Sequence, residues 1–246
     1  MKLAERRLQL AREWEKDAVL AQPLGLERFA QLSGRGWGGS TLWRAFDWVA
    51  RGSKPVRERL EKMAAEPEAS LARDQARMLL ALASPDLKPL NGNPSFEEGT
   101  GAAPPWNSWV KGTGSMRRVE GTAHTGKASM LCKGMERGGP HQLLPVTPGR
   151  YGAVAFVYMP PGSQSKGTVE LAVTLRDAAG TNLPTSPSAM IAPRPGEWSV
   201  IAVPAEIPAK VGDKEVKSVL LVPIVNGFAE GEEVYLDDVA LYRVEE

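Results

Sequence analysis

Apolar positions change their period near residue 90. Before that point they recur every three to four residues, and after it they alternate. Leu3, Leu10, Ala11, Trp14 and Ala18 fall on one helical face, with Glu, Arg and Lys opposite. Pro23 and Gly25 interrupt this pattern. A glycine-rich run from Ser33 to Ser40 precedes a second helical stripe, Leu42, Phe46, Val49 and Ala50. Gly52 closes that helix, and Ser53 with Pro55 opens the next, whose stripe is Val56, Leu60, Met63 and Ala64. Pro67 stands where a first helical residue is expected, ahead of Leu71, Met78, Leu79 and Leu82. The pattern predicts roughly four or five short helices over residues 1–84, a small bundle with a modest core of its own.

Two prolines and an Asn-Gly pair in Ser84-Pro85-Asp86-Leu87-Lys88-Pro89-Leu90-Asn91-Gly92 mark residues 85–92 as a linker. Over 93–246 the period is two. Val154, Phe156 and Tyr158 alternate with Ala155, Val157 and Met159 in a strand apolar on both faces, hence buried on both. Val169, Leu171, Val173 and Leu175 alternate with Glu170, Ala172, Thr174 and Arg176. Further strands carry Val200, Ala202 and Pro204, then Val216, Val219, Leu221, Pro223 and Val225. Pro148-Gly149, Pro161-Gly162, Ala179-Gly180, Pro195-Gly196 and Asn226-Gly227 supply the turns between them. Roughly eight to ten strands with no helix between them predict an antiparallel β-sandwich. The fold class is therefore α + β and multidomain: an N-terminal helical bundle followed by a sandwich.

Composition narrows the function classes. The 246 residues are 42% hydrophobic, enough for packed cores. Thirty Lys and Arg against 29 Asp and Glu leave a formal charge of +1, so no long-range pull draws the chain to nucleic acid or an anionic membrane. No run approaches the roughly 20 apolar residues of a membrane helix. A single cysteine, Cys132, rules out an intrachain disulfide and reads as a small apolar strand residue. The charged, periodic start is unlike a signal peptide. It fits a cytosolic protein, or a piece of a longer chain that is extracellular or periplasmic.

Catalytic motifs are scarce. Gly34, Gly36 and Gly39 match G-x-G-x-x-G in form, but the preceding segment is helical and no βαβ unit follows. The two histidines, His124 and His141, come with no G-x-S-x-G elbow and no zinc-type spacing. Acidic residues are more informative. Glu97, in Asn93-Pro94-Ser95-Phe96-Glu97-Glu98-Gly99, and Asp237, in Val234-Tyr235-Leu236-Asp237-Asp238-Val239, each sit in an apolar frame at opposite ends of the strand-rich half. A carboxylate beside a core needs compensation, from solvent, from a basic side chain or from a shared cation. A hydrolytic acid pair is a further use of such residues. Among the aromatics, Trp106 and Trp109 follow Pro104-Pro105 in a loop-like setting, and Trp198 starts a strand. Indole faces of this kind either pack on the core or stack on sugar rings. His141 and Gln142 precede an apolar strand, where they are candidate hydrogen-bonding groups across a groove.

The order of these pieces resembles the jelly-roll carbohydrate-binding modules of xylanases, cellulases and related glycosidases. The matching segments are Asn93-Pro94-Ser95-Phe96-Glu97, Trp109, Gly126-Lys127-Ala128-Ser129, Gln142, Pro148-Gly149-Arg150-Tyr151, Pro195-Gly196-Glu197-Trp198 and Tyr235-Leu236-Asp237-Asp238-Val239. They span essentially all of 91–244. The resemblance implies a structural calcium held by Glu97 and Asp237. It also implies a polysaccharide or oligosaccharide ligand, with Trp106, Trp109, His141, Gln142 and Trp198 as the candidate contacts. Many modules of this kind serve only as spacers, so a structural or protein-interaction sandwich is the alternative. The helical part is similar, more loosely, to helices that follow the catalytic barrel in large bacterial glycosidases. That likeness implies an upstream catalytic domain as a partner and no catalysis by this chain.

Overall fold

The structure, a computed structural model, describes residues 53–67, 71–84 and 86–244. The chain divides into two compact units, Met1–Lys88 and Pro89–Glu246. Two helices are described in the first unit. α1 (Lys54–Ala64) starts after Ser53 with Pro55 in its first turn, where a missing N–H costs nothing. It buries Val56, Leu60 and Met63. α2 (Leu71–Leu82) buries Ala76, Met78, Leu79 and Leu82, and Arg77 Nε donates to Ala64 O at the C-terminal end of α1 over 3.0 Å. The expected full bundle is not what is seen: two helices are described, and the stripes expected before Gly52 lie outside the described residues.

The second unit is a sandwich of two antiparallel five-stranded sheets. The strands in chain order are β1 (Asn107–Lys111), β2 (Ser115–Glu120), β3 (Ala128–Lys133), β4 (Arg137–Pro145), β5 (Gly149–Tyr158) and β6 (Thr168–Arg176). They continue with β7 (Ser188–Ile191), β8 (Trp198–Ile207), β9 (Lys210–Val211), β10 (Lys214–Glu215), β11 (Ser218–Asn226) and β12 (Glu233–Arg243). The first sheet runs β1-β4-β11-β6-β7, the second β2-β3-β12-β5-β8, and β9 pairs with β10 alone. The core lies between the sheets. Val169, Leu171, Val173, Leu175, Val219, Leu221 and Val225 enter it from the first, and Ala153, Ala155, Val157, Ile201, Val203, Leu236 and Leu241 from the second. Cys132 is wholly buried, and burial pushes its thiol up to about 12. Residues 151–157 of β5 are all buried, as their two-sided apolar pattern predicts.

Two features tie the ends of this unit together. β12 shifts register between Asp237 and Ala240, and Asp238 takes a left-handed φ of 46° there, a bulge. The buried Asn91 side chain fills the gap. Its Nδ2 donates to Val239 O and its Oδ1 accepts from Leu241 N, both over 2.8 Å. Gln142 reaches from β4 to the same stretch, donating to Gly92 O at 2.7 Å and accepting from Gly92 N at 3.2 Å. Leu90 to Gly92, expected to belong to a linker, are thus bonded into the sandwich. The composition that reads as loop-like is correct for the backbone, but the two amide side chains anchor it.

Candidate functional site

Strand parity sorts the candidate residues into three places. Directly paired residues share a sheet face, so the outer face of the first sheet can be read from its register. One row holds Trp109 with Gly139, then Ile224 with Glu170 and Met190. The next holds Asn107 with His141, then Val222 with Ala172 and Ser188. Lys111 with Arg137, then Asn226 with Thr168, close one side. Trp109 is 37% exposed. Its neighbour across the pair is a glycine, so the sheet beside the indole is bare backbone. The Arg137 guanidinium carbon stands 6.0 Å from the ring centre, and its Nη1 donates to Asn226 Oδ1 over 2.8 Å. His141 is half-buried. Burial, and then the nearby Arg176 charge, hold its pKa below the ordinary histidine value, so near neutral pH the ring is uncharged with one donor and one acceptor.

Trp106 is not on that face. It is 3% exposed, its ring lies 5.2 Å from that of Phe96, and its Nε1 donates to Asn93 O over 2.8 Å. The loop-like prolines that suggested exposure instead turn this indole into the core. Gln142, with both amide ends spent on Gly92, is likewise structural. Trp198 is half-buried on the outer face of the opposite sheet, 5.3 Å from Tyr158, with His124 edge-on at 5.6 Å. Tyr235 lies 6.0 Å beyond Tyr158 in the same row. The five aromatic and polar candidates therefore do not form one site. Trp109 and His141 share a face, Trp198 lies across the sandwich, and Trp106 and Gln142 pack internally. Arg137, Glu170 and Arg176 are the neighbours that motif reading missed. Their position in the alternation with His141, or with the apolar stripe of β6, was the available signal.

Glu97 and Asp237 converge on one turn, residues 121–128. Glu97 Oε1 accepts from Lys127 N at 2.8 Å and Ala128 N at 2.9 Å, and these bonds hold its carboxyl below the usual range. Gly126, at φ +64°, leaves the space that the Glu97 carboxylate occupies. Asp237 is fully buried. Its Oδ2 accepts from His124 N at 2.6 Å and Thr125 N at 3.2 Å, and its Oδ1 from Asp238 N at 2.7 Å. Among the described residues no basic side chain pairs with it, and burial, followed by the Asp238 charge, pushes its pKa up to about 7. Asp238 takes the polar groups of the turn, Thr125 Oγ1 at 2.7 Å and His124 Nδ1 at 2.6 Å, while the His124 ring stacks on Phe156 at 3.6 Å. Among the described residues, no group of three or more His, Cys, Asp and Glu side chains gathers around a point.

Neither a protein-family model nor a curated protein matches the chain. Solved structures similar to it include carbohydrate-binding modules. The CBM22-1 xylan-binding domain from Paenibacillus barcinonensis Xyn10C is 19% identical, with a TM-score of 0.46, over 62% of this chain and 92% of that one. TmCBM61 in complex with β-1,4-galactotriose is 18% identical, with a TM-score of 0.45, over 63% and 99%. The Stig cyclase Fisc from Fischerella sp. TAU is 16% identical, with a TM-score of 0.49, over 65% and 99%. The set mixes binding modules with enzymes, so it assigns no activity.

Proposed function

We propose that this chain is a non-catalytic polysaccharide-binding module and that the outer face of the first sheet is its binding surface. The observation that carries the reading is the exposed Trp109 indole beside the bare backbone of Gly139. A sugar ring presents a C–H face that packs on an indole, and its hydroxyls need fixed polar partners. His141, Asn107, Glu170 and Arg137 stand in the adjoining positions. A rigid sheet presents them without an ordering cost on binding. An acid pair for hydrolysis is not supported by Glu97 and Asp237, whose oxygens accept main-chain N–H groups of one turn.

A structural calcium is part of the same proposal. Its support is the donor chemistry: two hard oxygen ligands approach one turn from opposite ends of the unit, and Asp237 is a buried carboxylate with no basic partner among the described residues. Glu97 and Asp237 would hold the ion with main-chain carbonyls as the remaining ligands, and it would supply the missing positive charge. Attachment to a glycoside hydrolase would raise the local concentration of substrate at its catalytic domain.

Affinity electrophoresis against xylan, galactan, β-glucan, chitin and polygalacturonate tests the reading. Retardation by at least one polymer, lost in Trp109→Ala with an unchanged melting midpoint, is the expected result. If the variant migrates like the parent, the face is misassigned. A protein-binding role is the second reading, favoured by Leu143, which is 53% exposed on the same face.

A further inference from the structure

The outer face of the first sheet carries more bases than acids. Lys111, Arg137 and Arg176 lie on it against Glu170, with Glu136 at its rim beside Gly112. Three bases stand against one acid on the face itself, so it is locally basic although the chain as a whole is nearly neutral. None of the three basic side chains makes an ion pair among the described residues. Arg176 adds an independent sign: its Nε is buried with no acceptor. A guanidinium N–H removed from water without a partner is costly, and an incoming oxyanion would relieve it. Arg176 stands at the end of β6 in the row of Ser218 and Pro145, and its charge is felt at His141. Arg137 adjoins the Trp109 ring, and its described hydrogen bond uses one of five N–H donors.

Resting on the saccharide reading above, we propose that the ligand of this face is acidic: a polysaccharide bearing uronate carboxylates. One sugar stacks on Trp109 with Arg137 beside it to receive a carboxylate, while Arg176, six residues along β6 from Glu170, receives a carboxylate several sugars farther along the same polymer. A planar carboxylate matches the guanidinium fork, and such charge-assisted hydrogen bonds are about twice as strong as neutral ones.

The test measures the full chain by titration calorimetry on polygalacturonate, with neutral galactan and xylan and with dextran sulfate as comparisons, at low and high sodium chloride. Polygalacturonate is expected to bind at least about tenfold more tightly than the neutral polymers and to weaken with salt. Arg137→Gln and Arg176→Gln should each cost about tenfold on polygalacturonate, a larger loss than either causes on any neutral polymer. Lys at either position should restore part of the loss. If Arg176→Gln lowers the melting midpoint, the exposed Arg137 variants decide. Equal affinity for neutral polymers, or no effect of either Gln variant, overturns this inference and leaves the saccharide reading standing. Tighter binding to dextran sulfate overturns the carboxylate assignment in favour of plain ion exchange. Binding to none of the polymers overturns both readings.

Discussion

At the residue scale the sandwich depends on a few polar side chains that replace main-chain pairing. Asn91 satisfies a carbonyl and an N–H that the β12 bulge leaves open. Asn91→Ala strands both in a buried place, and a loss of about 2–4 kcal/mol is expected in urea unfolding. Asp237→Ala releases three N–H groups, those of His124, Thr125 and Asp238, and should cost at least as much. His141 gives the chain a pH dependence. Its folded pKa lies below the ordinary value near 6.5, so as pH falls through that value the unfolded chain takes up a proton that the folded one resists. The His141 contribution to stability therefore falls as pH drops below about 6.5, against the opposite contribution of Asp237, whose raised pKa favours folding as pH falls, so the melting midpoint of His141→Gln should gain on that of the parent over that range. Sequence alone drew attention to Asp237 as a metal candidate and to His141 as a saccharide contact, and both sit where burial shifts their pKa. It misplaced Trp106 and Gln142 because their partners, Asn93 O and Gly92, are local backbone atoms whose demand for hydrogen bonds has no residue-type signature.

Element by element, alternation was the readable part. The β6 and β11 stripes Val169 to Leu175 and Val219 to Val225 enter the core as their parity requires. Where strands are apolar on both faces, as in β5 and β8, parity loses its meaning: Val200 and Ala202 are buried, yet the members of β8 in the central core are Ile201, Val203, Ala205 and Ile207. The junction of β4 and β11 was not legible, because close approach of two backbones leaves only a glycine as its trace. A Cβ at Gly139 would collide with the Pro223 carbonyl. Gly139→Ala must push β4 from β11 at the floor of the proposed binding face. A loss of about 1–3 kcal/mol in stability is expected, together with weakened saccharide binding; full retention of both would show that the sheet yields there without consequence.

For the molecule as a whole, the proposed calcium and the binding face are separable. Glu97 and Asp237 clamp the turn at 121–128 to the entry and exit of the sandwich. Added calcium is therefore expected to raise the melting midpoint, EDTA to reverse the rise, and Glu97→Gln to abolish the response. A midpoint indifferent to calcium would mean that the main-chain N–H groups alone compensate these acids. Amide chemical-shift mapping with an oligosaccharide of the retained polymer locates the binding face directly. Shifts are expected at Asn107 to Lys111, Arg137 to Leu143, and the outward residues of β11 and β6. Shifts confined to Tyr158, Trp198 and Tyr235 on the opposite sheet would contradict this placement.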